Sequence, residues 1–184
     1  GETISAVTVT GSQTVVGTSS NVAINAVVSD GAVNVTANYN ISYVDGTLTV
    51  TAGTGEDLTV TPYSGIYDGA AHSITVAGII EGDTVEYSLT SGSGFSTTLP
   101  MFTDVTAGGV VYVRVTNDNY LDRTGSGTVT ITARPITITA DSDSKPYDGT
   151  PLTNNGWTLT SGTVAMGETI SAVTVTGSQT VVGT

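Results

Sequence analysis

Hydrophobic and polar residues alternate along most of the chain. In residues 6–10, 58–61, 111–115 and 129–131, valine, isoleucine or leucine recurs at every second position, with mainly polar residues between. Successive side chains of a β-strand point to opposite faces, so this alternation predicts half-buried antiparallel strands. No stretch has the 3.6-residue period of an amphipathic helix. Further strands are predicted at 22–28, 74–76, 85–89 and 136–138.

Turn residues separate these strands. Asp-Gly pairs at 30–31, 45–46, 68–69 and 148–149, together with Gly108-Gly109, supply the positive φ angles that tight turns need. Short strands at this spacing predict an all-β chain of small β-sandwich, immunoglobulin-like modules strung end to end, with almost no helix. A β-grasp module is the alternative, and residues 96–102 are a poor place for its helix.

One segment occurs twice. Residues 167–184 repeat residues 1–18 exactly, as GETISAVTVTGSQTVVGT. An identity of this length is not accidental, so we expect the chain to be a window onto a tandem array whose unit is 166 residues long. The overlap favours one continuous polypeptide over separate subunits that polymerise head to tail, and both remain open.

A weaker repeat lies inside that unit. The run Leu58-Thr-Val-Thr61 recurs as Ile136-Thr-Ile-Thr139, and Tyr67-Asp-Gly69 recurs as Tyr147-Asp-Gly149. The sequence GTVTIT at 127–132 recurs as GTLTVT at 46–51. These intervals predict two diverged modules of about 80 residues in each unit.

The repeats set the predicted domain boundaries. Residues 58–134 form a complete module, residues 1–57 the C-terminal half of another, and residues 135–184 the N-terminal half of the next. Arg134-Pro135 joins two strand-like runs without a spacer, which indicates a stiff joint. The joint at 51–57 is richer in glycine, so we expect it to be more flexible.

Composition excludes several functions. The chain has 184 residues, with 16 acidic and 4 basic side chains and a net charge of −12. This charge repels nucleic acid and anionic membrane surfaces. The absence of cysteine excludes disulfides, thiolate metal ligands and cysteine nucleophiles. Because no apolar run approaches the length of a membrane span, we expect no direct membrane insertion by this segment.

The order of the motifs resembles the MBG and YDG repeat modules of large bacterial surface proteins. The stretch KPYDGTP at 145–151 is similar to the opening of a YDG module, and residues 38–50 are similar to its close. Residues 58–134 resemble the MBG type, although 119–125 depart from the usual closing motif. The resemblance implies YDG-type halves at 1–57 and 135–184, an extracellular location at a bacterial cell surface, and no catalytic residues.

The function expected from these features is structural and non-catalytic. We expect a repeat segment of an extracellular fibre, filament or surface stalk, whose modules stack lengthwise and whose split modules are completed by a neighbouring repeat or chain. Its partners are then copies of itself, joined head to tail or as continuous tandem repeats. The alternative is an adhesin module that itself binds a glycan or a host protein, with Trp157, the only tryptophan, as a candidate platform.

The repeated aromatic-turn motif has a structural explanation. A tyrosine ring can be buried while its hydroxyl reaches a polar partner, and Asp-Gly then turns the chain. We therefore assign structural roles to six residues: Tyr67, Asp68, Gly69, Tyr147, Asp148 and Gly149.

The sequence contains few combinations of residues that could form a catalytic site. His72, the only histidine, has Ser73 and Asp68 nearby, but neighbours on a strand point to opposite faces. The carboxylates Glu81, Asp83 and Glu86 have no evident partner across a cleft, as glycoside hydrolysis would need. We therefore expect no enzymatic activity.

Two further candidates concern metal and crosslinks. We predict no cofactor, and calcium is the one ion left open, because hard oxygen ligands near module joints could stiffen a rod. Lys145 is the only lysine and so the only candidate for an intramolecular isopeptide bond. The weak calcium candidates are Asp118, Asp122, Asp141 and Asp143.

Overall fold

The regular secondary structure of the chain is almost entirely β-strand, as predicted. The computed structural model describes residues 1–183; Thr184, the last residue of the repeated segment and of the predicted 135–184 domain, lies outside them. Within 1–183 no α-helix forms, so the β-grasp alternative lacks its helix. The strands are β1 (Glu2–Thr10), β2 (Gly17–Asp30), β3 (Val33–Asn34), β4 (Gly46–Val50), β5 (Thr59–Thr61), β6 (Tyr63–Ile66), β7 (Thr75–Ala77), β8 (Thr84–Ser88), β9 (Thr106–Asn117), β10 (Tyr120–Thr132), β11 (Thr137–Ala140) and β12 (Trp157–Ser161), with one 3-10 turn at Thr36–Asn38.

Two compact units partition the chain. Unit 1 comprises Gly1–Asp57, Gly78–Val85 and Val115–Arg123, and unit 2 comprises Leu58–Ala77, Glu86–Arg114 and the remainder from Thr124. The predicted module boundaries after residues 57 and 134 stay a prediction. Among the described residues no helix has the length and apolar character needed to cross a bilayer.

The main sheet of unit 1 is centred on β2. This long strand pairs antiparallel with β1 on one side, and with β4 and the short β3 on the other. Val9 lies opposite Ala23, and Leu48 lies opposite Ser19. A positive φ at Asn25 accompanies the register shift between β1 and β2, where the ladder accommodates extra residues.

Unit 2 contains two similar strand pairs. In the first, β5 and β7 are antiparallel and Val60 faces Val76. In the second, β11 and β12 are antiparallel and Ile138 faces Leu159. A separate sheet has the strand order β6-β10-β9-β8, in which β6 runs parallel to β10.

The buried core is concentrated in residues 58–134. Alternate residues of β9 and β10 there are almost completely inaccessible, as the two-residue period of the sequence predicts. Outside this range only Val28 and Ala165 are buried hydrophobic residues of the described chain. The buried hydrophobic residues within the range are Ile74, Val111, Val113, Val115, Val129 and Ile131.

Two glycines let the β5–β7 pair approach β10 closely. A Cβ added at Gly125 would lie 2.8 Å from Val60 Cγ2, and one added at Gly127 would lie 2.8 Å from Ile74 Cγ2. Side chains at these two positions would push the two layers apart. The β5–β7 pair and β10 therefore form the packed layers of a β-sandwich.

Gly127→Val tests this packing. We expect the variant to lower the free energy of unfolding by about 1–3 kcal/mol, because the new side chain must displace Ile74 and Val60. Denaturant unfolding of the full chain measures the effect. Gly177→Ala is the matched control, since nothing lies within 4 Å of its added Cβ; an equal loss in both variants would contradict close packing at Gly127.

Candidate functional site

The first Tyr-Asp-Gly motif forms a self-capped turn. The carboxylate Oδ1 of Asp68 accepts a hydrogen bond from the Ala70 N–H at 2.9 Å and lies 3.0 Å from His72 Nε2. Gly69 has a φ of 80°, which glycine adopts without strain. These contacts, His72 first and the Ala70 N–H second, lower the pKa of Asp68.

The second motif repeats this geometry. The Asp148 Oδ1 atom accepts a hydrogen bond from the Thr150 N–H at 2.9 Å, and Gly149 has a φ of 79°. A basic side chain again contacts the carboxylate: Lys145 Nζ lies 2.9 Å from Asp148 Oδ1. Lys145 is the first cause, and Thr150 the second, of a lowered pKa at Asp148. The only lysine therefore stabilises an exposed turn through an ion pair, and the isopeptide bond stays a prediction.

The two motif tyrosines differ in exposure. Tyr67 is half-buried and its hydroxyl donates a hydrogen bond to the Glu168 carboxylate, which raises the pKa of Tyr67. The Tyr147 ring, for which burial is predicted, is instead 68% exposed. Because the local turn is the same in both motifs, the difference in exposure between the two tyrosine rings comes from the residues that pack around each ring.

The repeated segment has two conformations. In its first copy, residues 2–10 form β1 by pairing with β2. In its second copy, residues 167–183 form no strand, and Gln179 makes a single antiparallel bridge to Leu152. A strand forms only where a partner strand accepts its backbone hydrogen bonds, so identical residues differ according to the partner they meet.

A glutamate of the repeated segment binds a tyrosine in both copies. The Glu2 carboxylate accepts a hydrogen bond from the Tyr39 hydroxyl, and Glu168 accepts one from Tyr67. Both tyrosine pKa values are raised by these hydrogen bonds. One carboxylate has enough lone pairs to accept both hydroxyls at once.

Arg134 fastens the joint between residues 58–134 and the strand pair that follows. Its Nε donates to the Thr163 carbonyl at 2.6 Å, its Nη2 to Thr163 Oγ1 at 2.9 Å, and its Nη1 to the Tyr67 carbonyl at 3.2 Å. The buried Ala165 methyl lies 3.4 Å from the Cβ position of Gly69. These contacts connect the segments on either side of Arg134, and the stiffness of this joint stays a prediction.

The glycine-rich joint at 51–57 is also held by specific contacts. Gly53 donates its N–H to the Asn119 carbonyl at 3.0 Å and accepts a hydrogen bond from the Leu121 N–H at 2.8 Å. A Cβ at Gly53 would lie 3.0 Å from the Tyr120 ring, so glycine here permits close approach of the ring. The expectation of a flexible linker, based on glycine content alone, is not supported by this geometry.

Arg123 anchors the end of the same joint. Its Nη1 donates to the Glu56 carbonyl at 2.8 Å and the Gly78 carbonyl at 2.6 Å, while its Nη2 contacts the Asp83 carboxylate. The Asp83 side chain is 0% exposed. The pKa of Asp83 is lowered, first by the hydrogen bond from the Ile80 N–H and then by Asn117 and Arg123. Burial acts in the opposite direction and raises it.

Of the residues considered for catalysis, His72 and Asp68 are in contact, and the others contact different structural partners. His72 stacks on the Tyr63 ring with centroids 4.1 Å apart, whereas the Ser73 hydroxyl donates to the Pro100 carbonyl at 2.7 Å. Glu86 pairs with Arg114 at 2.7 Å, and the Glu81 carbonyl accepts a hydrogen bond from an asparagine amide at 3.3 Å. These contacts hold strands and turns.

The calcium candidates form no cluster. Asp118 and Asp122 line one polar pocket of unit 1. Asp141 Oδ1 accepts a hydrogen bond from Thr158 at 3.1 Å, and Asp143 Oδ1 accepts one from the next backbone N–H at 2.7 Å. Within residues 1–183 no three acidic or histidine side chains are grouped as a metal site. Calcium binding stays a prediction.

No protein-family model, curated protein or solved structure matches this chain. The features available for a functional argument are therefore its own internal repeats and the contacts at its joints.

Sequence reasoning missed the roles of three joint residues. Arg123, Arg134 and Glu168 make these contacts, and no pattern in the sequence assigned them a role. One signal was present: only four basic residues accompany 16 acidic ones, so each arginine is a scarce cation. Arg134 also stands directly before the proline at a predicted module boundary.

Proposed function

We propose that this chain is a non-catalytic structural segment of a bacterial extracellular fibre or surface stalk, built of tandem modules that stack lengthwise. The observation that carries the proposal is the recurrence of one strand pair. The β5–β7 and β11–β12 pairs place Val60 opposite Val76 and Ile138 opposite Leu159, and Val60 and Ile138 are equivalent positions of the internal sequence repeat.

The same recurrence extends to the turns and joints. Both Tyr-Asp-Gly motifs have the same aspartate cap and the same glycine conformation, and a basic side chain, His72 or Lys145, contacts the aspartate. Joints held by Arg123 and Arg134 limit bending between successive segments, which a load-carrying rod requires. The acidic surface, with a net charge of −12, favours solubility over lateral association.

In this proposal the chain's partners are copies of itself. Stability is then approximately the sum of the module stabilities and the nearest-neighbour interface energies. Strands and joints supply the mechanical function, and no cofactor is part of it. The resemblance to MBG and YDG modules supports the assignment to a bacterial cell surface.

Immunolabelling tests the location and the extended form together. Antibodies raised against the 184-residue chain would be applied to cells that produce the protein, before and after permeabilisation. We expect gold label on intact cells, at a range of distances from the envelope. An antibody against a cytoplasmic protein is the control. Label that appears only after permeabilisation would overturn the proposed function.

A further inference from the structure

One face of the unit 1 sheet is partly exposed: Val9 and Gly46 are exposed there, whereas Ala23 and Leu48 are half-buried. Its open face is defined here by Val9, Ala23, Gly46 and Leu48, which share one side of β1, β2 and β4 by their register. Val9 is exposed although it is apolar. Val44, two residues before Gly46, is exposed as well.

The β11–β12 pair has an uncovered apolar side of its own. Ile136 and Ile138 are exposed, and Trp157 and Leu159 are only half-buried. Their counterparts in the β5–β7 pair are Leu58, Val60, Ile74 and Val76, all half-buried or buried, and the first three lie close to the glycines of β10.

The packed module shows how such surfaces fit together. On β10, Gly125 and Gly127 receive Val60 and Ile74. The internal repeat aligns Gly127 with Gly46 and Gly125 with Val44, because GTVTIT at 127–132 matches GTLTVT at 46–51. The three atoms nearest to a Cβ at Gly46 all belong to Asn21, the closest at 3.5 Å, so no apolar side chain from a second layer approaches Gly46 as closely as Ile74 approaches Gly127.

We propose that the β11–β12 pair of a second copy of this chain docks on the open face and completes a β-sandwich like that of residues 58–134. This proposal rests on the proposed function, since it supplies the contact by which successive copies join. Ile138 then packs beside Gly46 as Val60 packs beside Gly127, and Trp157 takes the place of Ile74 above Gly46. Val44 stands where residues 58–134 have Gly125, so the two layers lie further apart at that end of the junction.

The repeated segment makes this junction self-consistent. Residues 1–10 of the accepting copy are identical to residues 167–176 of the docking copy. Glu2 of the accepting copy can therefore replace Glu168 beside Tyr67 while retaining its bond to Tyr39, because one carboxylate accepts two hydroxyls.

A cysteine pair tests the contact directly. The Cβ position of Gly125 lies 3.8 Å from Val60 Cβ, which is the spacing of a disulfide. The equivalent pair at the proposed junction is Val44 and Ile138. The chain has no cysteine, so V44C/I138C introduces the only thiols. On mild oxidation we expect a reducible ladder of dimers and higher multimers on a non-reducing gel.

Two matched variants accompany this pair. V60C/G125C is expected to form a disulfide within one chain and to migrate as a monomer, which shows that this spacing permits oxidation. V44C/T139C moves one thiol to the opposite side of β11 and should form at least tenfold less multimer.

A third variant tests the contact without introducing cysteines. Gly46→Val has room in the isolated sheet but would obstruct the docked Trp157. Light scattering over a concentration series should give an apparent dissociation constant for self-association that is at least tenfold larger for Gly46→Val than for the unmodified chain.

The outcomes separate this inference from the proposed function. Free thiols, or an intramolecular disulfide, in V44C/I138C would overturn docking by a second copy, as would unmodified chains that stay monomeric at every concentration. Surface label with no ladder would reject the junction alone. A ladder with label confined to permeabilised cells would keep the junction and reject the fibre at the cell surface.

Discussion

Ile131→Ala is expected to lower the free energy of unfolding by about 2–5 kcal/mol. The Ile131 side chain is 2% exposed and lies on β10 among the buried valines of the central core. Truncation removes apolar contacts and leaves a cavity that the closely packed strands cannot fill. Denaturant unfolding of the full chain, followed by circular dichroism, measures the change.

The matched control for this substitution is Ile138→Ala. It makes the same chemical change on a strand, but Ile138 is 38% exposed. At protein concentrations below assembly we expect a loss under about 1 kcal/mol, since surface substitutions have small effects. Equal losses in the two variants would contradict a core concentrated in residues 58–134.

Arg123→Ala should have the second largest effect. The guanidinium makes an exposed hydrogen bond to the Glu56 carbonyl and a part-buried one to the Gly78 carbonyl, and its removal abolishes both. Hydrogen bonds from charged groups to such acceptors suggest a loss of about 2–3 kcal/mol for Arg123. The Asp83 carboxylate also loses its cation. Thermal and denaturant unfolding of the full chain both report the loss.

Arg114→Ala is the comparison for this variant. Arg114 pairs with Glu86, but its side chain is considerably more exposed than that of Arg123. It also lies over the Phe95 ring, at 4.6 Å from the centroid. We expect a loss of about 1 kcal/mol or less, as is usual for exposed ion pairs. A larger loss of stability for Arg114→Ala than for Arg123→Ala would contradict the claim that the less exposed Arg123 contributes more to stability.

Much of the fold follows from local sequence. The two-residue alternation located most of the strands, because a strand with one buried and one solvated face requires apolar and polar residues to alternate. The parallel strand β6, at Tyr63–Ile66, was not predicted. It contains a glycine and lacks regular alternation, and its pairing with β10 depends on residues more than 60 positions away.

Non-local contacts limit what the sequence reveals about the joints. Tyr67 and Tyr147 share one motif and one turn geometry, yet only Tyr67 has a glutamate partner among its contacts. Residues 1–10 and 167–176 are identical and differ in structure, since only the first pair with β2. Gly53 shows the same limit, because its role is to admit the Tyr120 ring rather than to confer flexibility.

Hydrogen exchange of the 184-residue chain, measured at low and high protein concentration, tests the central claim most directly. That claim is that residues 58–134 are complete and that copies complete the flanking halves. At low concentration we predict the strongest amide protection in β9 and β10. At high concentration, protection should rise in β4, β11 and β12. Uniform protection that does not change with concentration would contradict the account.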